Sequence, residues 1–227
     1  MKRINEEYSL LSTKAYDEIK RSIVHEELEC GQKLTESWLS EMLGVSRTPI
    51  REALRRLSYE GYISLTPNYG FVINELTEED MNEILEVRRA LEGEAARMAA
   101  GKITEGQKKS LILNFRRIEL LNEIESEEDR VQEFMQLDVE FHNEILCIAG
   151  NSRFISIEDS LQDRLYRMRL AFLSMEDKIR ECKEQHEKIL DAILEGNTEA
   201  AGFYSREHIS NIMHISKKYD VLSRHKL

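Results

Sequence analysis

The chain has 227 residues, of which 41% are hydrophobic and 33% charged, a composition typical of a globular protein rather than a disordered or membrane-embedded one. Only two prolines and ten glycines occur, which favours long helices over a sandwich or barrel of many short strands. No apolar run approaches the roughly 18 residues of a membrane span, and the N-terminus lacks the apolar core of a signal peptide. The three cysteines are odd in number and scattered, which indicates a reducing cytoplasm.

The net charge of −11 comes from 32 basic and 43 acidic residues and by itself argues against nucleic-acid binding. The charge is unevenly distributed, however. Up to Asn74 the chain carries 10 basic and 11 acidic residues, so 22 basic and 32 acidic residues follow. The acidity therefore belongs to the second part of the chain.

The first part predicts three helices and a β-hairpin. The helices are expected over about 9–28, 36–43 and 47–60, and the strands over 62–66 and 71–73. Gly44 ends the second helix, Ser46 is placed to cap the third, and Pro67-Asn68-Tyr69-Gly70 forms the turn between the strands. This order is the outline of a winged helix-turn-helix domain, which we place at residues 1–75.

The remainder, residues 76–227, predicts an all-helical domain. The expected helices are 77–100, 104–125, 127–149, 151–173, 176–195 and 197–222. Thr77 with its following acidic residues is typical of a capped helix start, and Gly101, Gly150 and Gly196 mark breaks. The fold class is therefore mainly α, with a small β-hairpin as the wing of the first domain.

The third helix carries a local basic face. Arg47, Arg51 and Arg55 recur every four residues and so share one side of the helix, opposite an apolar stripe that includes Ile50 and Leu54. Such arginines can reach guanine edges and phosphates in a major groove. The alternative is an ordinary solvated helix surface, and the spacing alone does not decide between them.

The amino-acid sequence of this region is more informative than the spacing of its arginines. Residues 43–63, LGVSRTPIREALRRLSYEGYI, resemble the DNA-binding signature of the GntR family of bacterial transcription regulators, and the similarity extends over about residues 10–75. The resemblance implies five DNA-contacting residues, namely Arg47, Thr48 and Arg51 as main contacts and Arg55 and the wing residue Gly70 as supporting ones. The chain departs from the family at Cys30, where proline is usual, and at Ser37-Trp38, where many members carry a charged residue.

Polar side chains interrupt the apolar stripes of the second domain. Asp138 and His142 lie four residues apart in one stripe, while His186 and His208 lie in two others. Because burying an unpaired imidazole or carboxylate is costly, four inward-facing groups indicate a shared metal ion. One carboxylate with three imidazoles suits Zn, Ni, Fe, Co or Mn better than Ca or Mg, whereas each histidine taken singly would be an ordinary core residue.

The second domain resembles the FCD effector domain of the FadR-like branch of the GntR family. The similarity covers about residues 78–215 and rests on VRRALEGEAARMAA (87–100), DVEFHNEILCIAGN (138–151) and EQHEKILDAILEGN (184–197). It implies an antiparallel bundle of six or seven helices around a cavity, small organic acids as effectors, and Asp138, His142, His186 and His208 as metal ligands.

Three further residues are candidates for effector binding. Arg88 lies among apolar residues and could hold an effector carboxylate through two parallel hydrogen bonds, or it could instead pair with Glu92 one turn away. Arg164 lies near an apolar stripe that predicts an inward-facing helix side. Asn151 matches a family position, with a helix cap as its alternative.

Three functions follow from these observations. The first is a homodimeric regulator that represses transcription from a palindromic operator and responds to a small carboxylate at the metal. The second is a metalloenzyme acting on an organic acid, since an open position on a three-histidine metal site can activate water. The third is a DNA-binding protein whose metal is only structural. The absence of HExxH and of a nucleophile elbow favours the regulator over the enzyme.

Overall fold

A computed structural model describes residues 6–25, 27–66, 69–175 and 177–219. The chain divides into two compact units between Leu76 and Thr77, one residue beyond the boundary expected from the sequence. No helix among the described residues is both long and apolar enough to span a membrane.

In the part that the structure describes, the first unit consists of three helices and a small antiparallel sheet. Its elements are α1 (Glu6–Val24), β1 (Lys33–Leu34), α2 (Glu36–Leu43), α3 (Arg47–Tyr59), β2 (Ile63–Thr66) and β3 (Gly70–Ile73). Strand β3 lies between β1 and β2 and pairs antiparallel with both. The predicted hairpin is confirmed, and β1 adds a third strand that is too short to produce an alternating pattern in the sequence. Pro67 and Asn68, in the predicted turn, lie outside the described residues.

Local capping fixes α2 and α3 at the expected positions. The hydroxyl of Thr35 accepts a hydrogen bond from the backbone N–H of Trp38 at 3.2 Å and so caps α2. Gly44 ends that helix with a φ of 64°, a left-handed conformation that favours glycine. Ser46 occupies the N-cap position of α3, as predicted, but its side chain makes no capping bond. Trp38, where the chain departs from the family, packs against the core of this unit.

Over its described residues, the second unit is a bundle of seven α-helices. They are α4 (Glu78–Ala100), α5 (Glu105–Leu120), α6 (Glu127–Ala149), α7 (Ser152–Gln162), α8 (Tyr166–Leu173), α9 (Lys178–Leu194) and α10 (Thr198–Tyr219). The single helix expected over 151–173 is wrong, because a 3-10 turn at Asp163–Leu165 separates α7 from α8. Helix α4 begins at a capping box between Thr77 and Asp80, as its sequence predicts.

Helix α4 makes its most extensive contact with α10, and two glycines permit the close approach. A Cβ atom added to Gly93 would lie 2.5 Å from Cγ of Arg206, and one added to Gly202 would lie 3.0 Å from the carbonyl oxygen of Gly93. The side chain of Arg206 therefore fills the space that a larger residue at position 93 would need. This crossing fixes the relative position of α4 and α10, which both carry buried polar side chains.

We expect Gly93→Ala to lower the free energy of unfolding of the second unit by about 1–3 kcal/mol, because the added methyl group overpacks the crossing. Gly106→Ala is the matched control: it lies in helix α5, where an added Cβ meets nothing within 4 Å, so its stability should be unchanged or slightly higher. Urea denaturation monitored by circular dichroism measures both variants. Equal stabilities for the two would contradict the packing argument.

Candidate functional site

The four predicted metal ligands converge in the core of the second unit. Helix α6 supplies Asp138 and His142, α9 supplies His186 and α10 supplies His208. One ligand atom from each lies within 4.8 Å of the others, and each residue is at most 7% exposed. Across the described residues, this is the one cluster of histidine, cysteine and acidic side chains close enough to hold a metal ion.

The contacts within the cluster point inward. Nε2 of His186 lies 3.2 Å from Nε2 of His142 and 3.4 Å from Nε2 of His208. Oδ1 of Asp138 lies 3.4 Å from the same atom of His186 and 3.7 Å from Nε2 of His142. Three imidazole nitrogens and a carboxylate oxygen thus share one small space.

Acceptors on the outer side of two imidazoles favour the tautomer that a metal requires. Oε2 of Glu92 lies 2.7 Å from Nδ1 of His142, and Oε1 of Gln185 lies 2.7 Å from Nδ1 of His208. A proton on each Nδ1 satisfies these oxygens and leaves an unprotonated Nε2 facing the cluster. Where two facing Nε2 atoms are both unprotonated, their lone pairs about 3 Å apart repel unless a cation lies between them, so a metal ion fits this position.

The protonation states of three of the four side chains also suit a metal ion. Burial and the neighbouring His142 lower the pKa of His186 to about 3, and burial together with His186 holds the pKa of His208 well below its usual value. Burial raises the pKa of Asp138, but His142 and Arg169 outweigh it and leave that pKa at about 2. Near neutral pH His186 and His208 are therefore neutral imidazoles and Asp138 is a carboxylate, which are the protonation states that metal binding requires.

His142 differs from the other two histidines. Burial lowers its pKa, but the adjacent Glu92 outweighs that effect and leaves the pKa raised above its usual value. A metal ion binding to Nε2 of His142 would therefore displace a proton. The donor set as a whole, three neutral imidazoles and one carboxylate, could hold a divalent transition metal.

The candidate effector residues occupy different places. Arg88 is buried and makes the ion pair with Glu92 that the sequence left open, with Nη2 2.6 Å from Oε1, and its Nε also donates to Glu158 at 2.8 Å. Arg88 lines a cavity beside Asp138 and His208, but Arg164 and Asn151 are not among its lining residues. Asn151 caps α7 by accepting a hydrogen bond from the backbone of Arg153.

The sequence missed three polar residues around the cluster, namely Glu158, Arg169 and Gln185. Arg169 lines the same cavity and lies 3.9 Å from Asp138, measured between Nε and Oδ2. Its signal was present, because residue 169 falls on the apolar stripe of Leu165, Met168 and Phe172 at helical spacing. Glu158 and Gln185 carry no such signal, since their importance arises only from tertiary contacts.

The basic face expected on α3 of the first unit is exposed. The apolar stripe of α3, including Ile50 and Leu54, is fully buried, while Arg47, Thr48, Arg51 and Arg55 are exposed. Arg51 makes two hydrogen bonds of 2.7 Å to the carboxylate of Glu36 at the start of α2. Its guanidinium is therefore held in one orientation at the surface.

Two family patterns match this architecture. The pattern described as "Bacterial regulatory proteins, gntR family" matches residues 11–73, and the pattern of the FCD domain matches residues 83–211. The chain belongs to the GntR family and carries an FCD domain. It is therefore a DNA-binding transcription regulator and not an enzyme, which removes the metalloenzyme alternative.

Individual relatives agree with this assignment. The chain is 34% identical over 135 residues to the Nta operon transcriptional regulator of Aminobacter aminovorans, a match that covers 60% of this chain and 62% of that protein. It is 31% identical over 175 residues to the gluconate operon transcriptional repressor of Bacillus licheniformis, covering 77% of this chain and 69% of that one. The solved structure of E. coli McbR/YncC superimposes with a TM-score of 0.68 at 21% identity, covering 96% and 99% of the two chains, and shares the fold.

The hydrogen bond between Nδ1 of His208 and Oε1 of Gln185 should contribute to metal affinity. We expect Gln185→Ala to weaken Zn²⁺ binding by about 10-fold, because Nδ1 loses its hydrogen-bond partner and the imidazole is no longer fixed in orientation or tautomer. Gln185→Glu is the matched control and should retain the affinity, since its carboxylate accepts the same hydrogen bond. Competition with a fluorescent zinc chelator measures both variants, and equal affinities would argue against this role for Gln185.

Proposed function

We propose that this regulator is a metal-containing repressor whose affinity for its operator changes when a small carboxylate binds beside the metal. The observation that carries the proposal is the convergence of Asp138, His142, His186 and His208 next to a cavity. Relatives named as repressors support the direction of regulation. The proposed place of action is the cytoplasm, where a bacterial regulator meets its DNA and which the scattered cysteines favour.

The proposed DNA contacts lie on α3 and the wing. Arg47, Thr48 and Arg51 would contact the operator directly, with Arg55 and Gly70 in support. Exposure of the four α3 side chains, opposite a stripe that is fully buried, supports this assignment. Each good bidentate contact of an arginine with a guanine contributes about 1–3 kcal/mol to discrimination between bases. A homodimer would present two such helices to a palindromic operator, because two-fold protein symmetry requires matching half-sites.

The four ligands would hold a divalent transition metal, with Zn²⁺ the best fit and Ni²⁺, Fe²⁺, Co²⁺ and Mn²⁺ as alternatives. When bound, the metal would supply a positive charge that attracts the carboxylate of an effector. The chain's own residues orient two of the imidazoles through Glu92 and Gln185 and keep the cluster out of bulk water. An effector changes operator affinity only if it binds one arrangement of the protein better than another.

One observation favours a second candidate function, in which the metal is only structural. The ligands come from three helices, α6, α9 and α10, so a bound metal would also cross-link the bundle. In that case the metal would stabilise the fold and no carboxylate would alter DNA binding.

The recognition-helix assignment predicts that Arg51→Glu abolishes specific operator binding, with a loss of at least about 100-fold, because a base contact is removed and a charge repelling phosphate is introduced. Glu36→Gln leaves Arg51 in place and should retain binding. Arg97→Glu, an exposed charge reversal in the second unit, controls for net charge. Fluorescence anisotropy with an operator selected from random DNA measures the affinity of each variant. Retained affinity in Arg51→Glu would contradict the assignment of α3 as the recognition helix.

Metal removal separates the two roles of the metal. For a metal that serves effector binding, His186→Ala and the chelator-treated wild type should remain folded and still bind operator, while organic acids no longer shift operator affinity. Melting curves and anisotropy titrations test this. Unfolding upon metal loss, with no acid affecting the metal-loaded protein, would support the structural role instead.

A further inference from the structure

A lysine outside the recognition helix lies at the tip of the wing. Lys33 is exposed on β1, and its side chain passes over the wing residue Gly70, where an added Cβ atom would lie 3.6 Å from Cε of Lys33. Nζ of Lys33 lies 4.6 Å from the centroid of the Tyr69 ring, which is within the range of a cation–π contact. The ammonium group is therefore held against the exposed end of the hairpin.

The segment that follows Lys33 leads directly to the basic face of α3. Glu36 begins α2 three residues later, and its carboxylate accepts two hydrogen bonds of 2.7 Å from Arg51. The hydrogen bond from Arg51 lowers the pKa of Glu36, and the charges of Arg47 and Arg55 add to this effect, so all three arginines lie near the carboxylate. Three residues of chain span at most about 10 Å. Lys33 therefore lies between the two elements that are proposed to contact DNA.

Helix α2 offers no cation to the DNA backbone. In helix-turn-helix proteins the first helix of the motif crosses the backbone, where phosphates attract basic side chains. Helix α2 instead contains Glu36 and Glu41 and neither lysine nor arginine, and its Trp38 packs against the core of the unit. A phosphate that passes this helix would need its counter-charge from a neighbouring element.

The side chain of Lys33 can supply that charge without losing an ion pair. Among the residues that the structure describes, it has no carboxylate within ion-pair distance and contacts the Tyr69 ring instead. Three arginines of α3 differ in this respect, since each of them pairs with a glutamate: Arg51, Arg55 and Arg56. A phosphate oxygen could therefore accept a hydrogen bond from Lys33 without displacing a carboxylate.

We propose that Lys33 binds a phosphate of the operator backbone between the recognition helix and the wing, and that Tyr69 positions its ammonium group. The inference rests on the proposed function, because it requires α3 and the wing to face the DNA. A lysine is a compact point charge, which suits a phosphate better than a bidentate contact with a base. Lys33 would contribute to affinity and register but not to the choice of sequence.

The salt dependence of DNA binding identifies such a contact. Each neutralised phosphate contributes about 0.9 to the slope of log K against log salt concentration, so Lys33→Gln should reduce the slope by about 2 in a homodimer. Glutamine keeps part of the aliphatic stem over Gly70 and removes the charge. Affinities for operator and for random DNA should fall by similar factors of about five-fold or more, since a phosphate contact carries no sequence information. Fluorescence anisotropy over about 50–200 mM salt measures both affinities.

Two variants control for charge and for folding. Lys33→Arg keeps the positive charge and should restore the wild-type slope. Lys109→Gln removes an equal charge from an exposed lysine of α5 in the second unit and should leave the slope unchanged. Circular dichroism establishes that each variant is folded before its affinity is measured.

A double-mutant cycle tests the positioning role of Tyr69. Tyr69→Ala should lower operator affinity by about two- to five-fold because Lys33 loses its cation–π partner, and Tyr69→Phe, which keeps the ring face, should restore the affinity. In the Lys33→Gln background, Tyr69→Ala should have no further effect, since its role is exerted through Lys33. Additive effects of the two substitutions would overturn the positioning role and assign Tyr69 a separate contact.

The outcomes separate this inference from the proposed function. A wild-type salt slope in Lys33→Gln, in a protein whose Arg51→Glu variant no longer binds operator, would overturn this inference alone. A loss of affinity for operator without a loss for random DNA would overturn the assignment of Lys33 to a phosphate. If Arg51→Glu bound operator as the wild type does, the proposed recognition helix and this inference would both be overturned.

Discussion

The second unit is organised around one electrostatic constraint, namely three buried imidazoles that meet at Nε2 of His186, which lies 3.2 Å from Nε2 of His142 and 3.4 Å from Nε2 of His208. Burial opposes protonation of His186 and His208, so their lone pairs cannot be neutralised by uptake of protons from solvent. A cation between the nitrogens removes the repulsion and turns it into coordination. The same constraint explains why an acceptor oxygen lies on the outer side of His142 and of His208, where it holds a proton on Nδ1 and leaves Nε2 as the atom that a metal would bind.

Helix α4 connects this cluster to a buried ion-pair network. Glu92 contacts Arg88 through one carboxylate oxygen and His142 through the other, and Arg88 continues to Glu158 on α7. Buried ion pairs are often no more stabilising than apolar residues of the same size, so stability alone is a weak reason for such a network. Its position offers a better reason, because the network fixes the charge and orientation of the carboxylate that sets the tautomer of His142.

The sequence predicts most of this fold because local signals mark its helices. Helix α6 begins after Ser126, whose side chain caps it, and ends at Gly150, so its bounds match the expected 127–149. The ligand cluster was also predictable, since Asp138, His142, His186 and His208 each interrupt an apolar stripe, and the FCD resemblance implies the same four residues. Periodicity could not predict the 3-10 turn at Asp163–Leu165, because the apolar spacing of the stripe continues through it. The hydrogen-bond acceptor for His208, Gln185, could not be predicted from the sequence either, since this contact arises only from tertiary packing.

The acidic composition and the basic recognition face serve the same end if Arg51 contacts the operator. The excess negative charge lies after Asn74 and weakens attraction to phosphate in general, so nonspecific binding is disfavoured at any sequence. Glu36 adds a local restraint, because its bidentate pair with Arg51 must be exchanged for a DNA partner of comparable geometry. The O6 and N7 atoms of a guanine form such a bidentate partner, and a phosphate can do the same, but either must first displace the carboxylate of Glu36. If Arg51 contacts the operator, operator binding therefore carries the cost of breaking this ion pair, and DNA that offers Arg51 no bidentate partner is disfavoured.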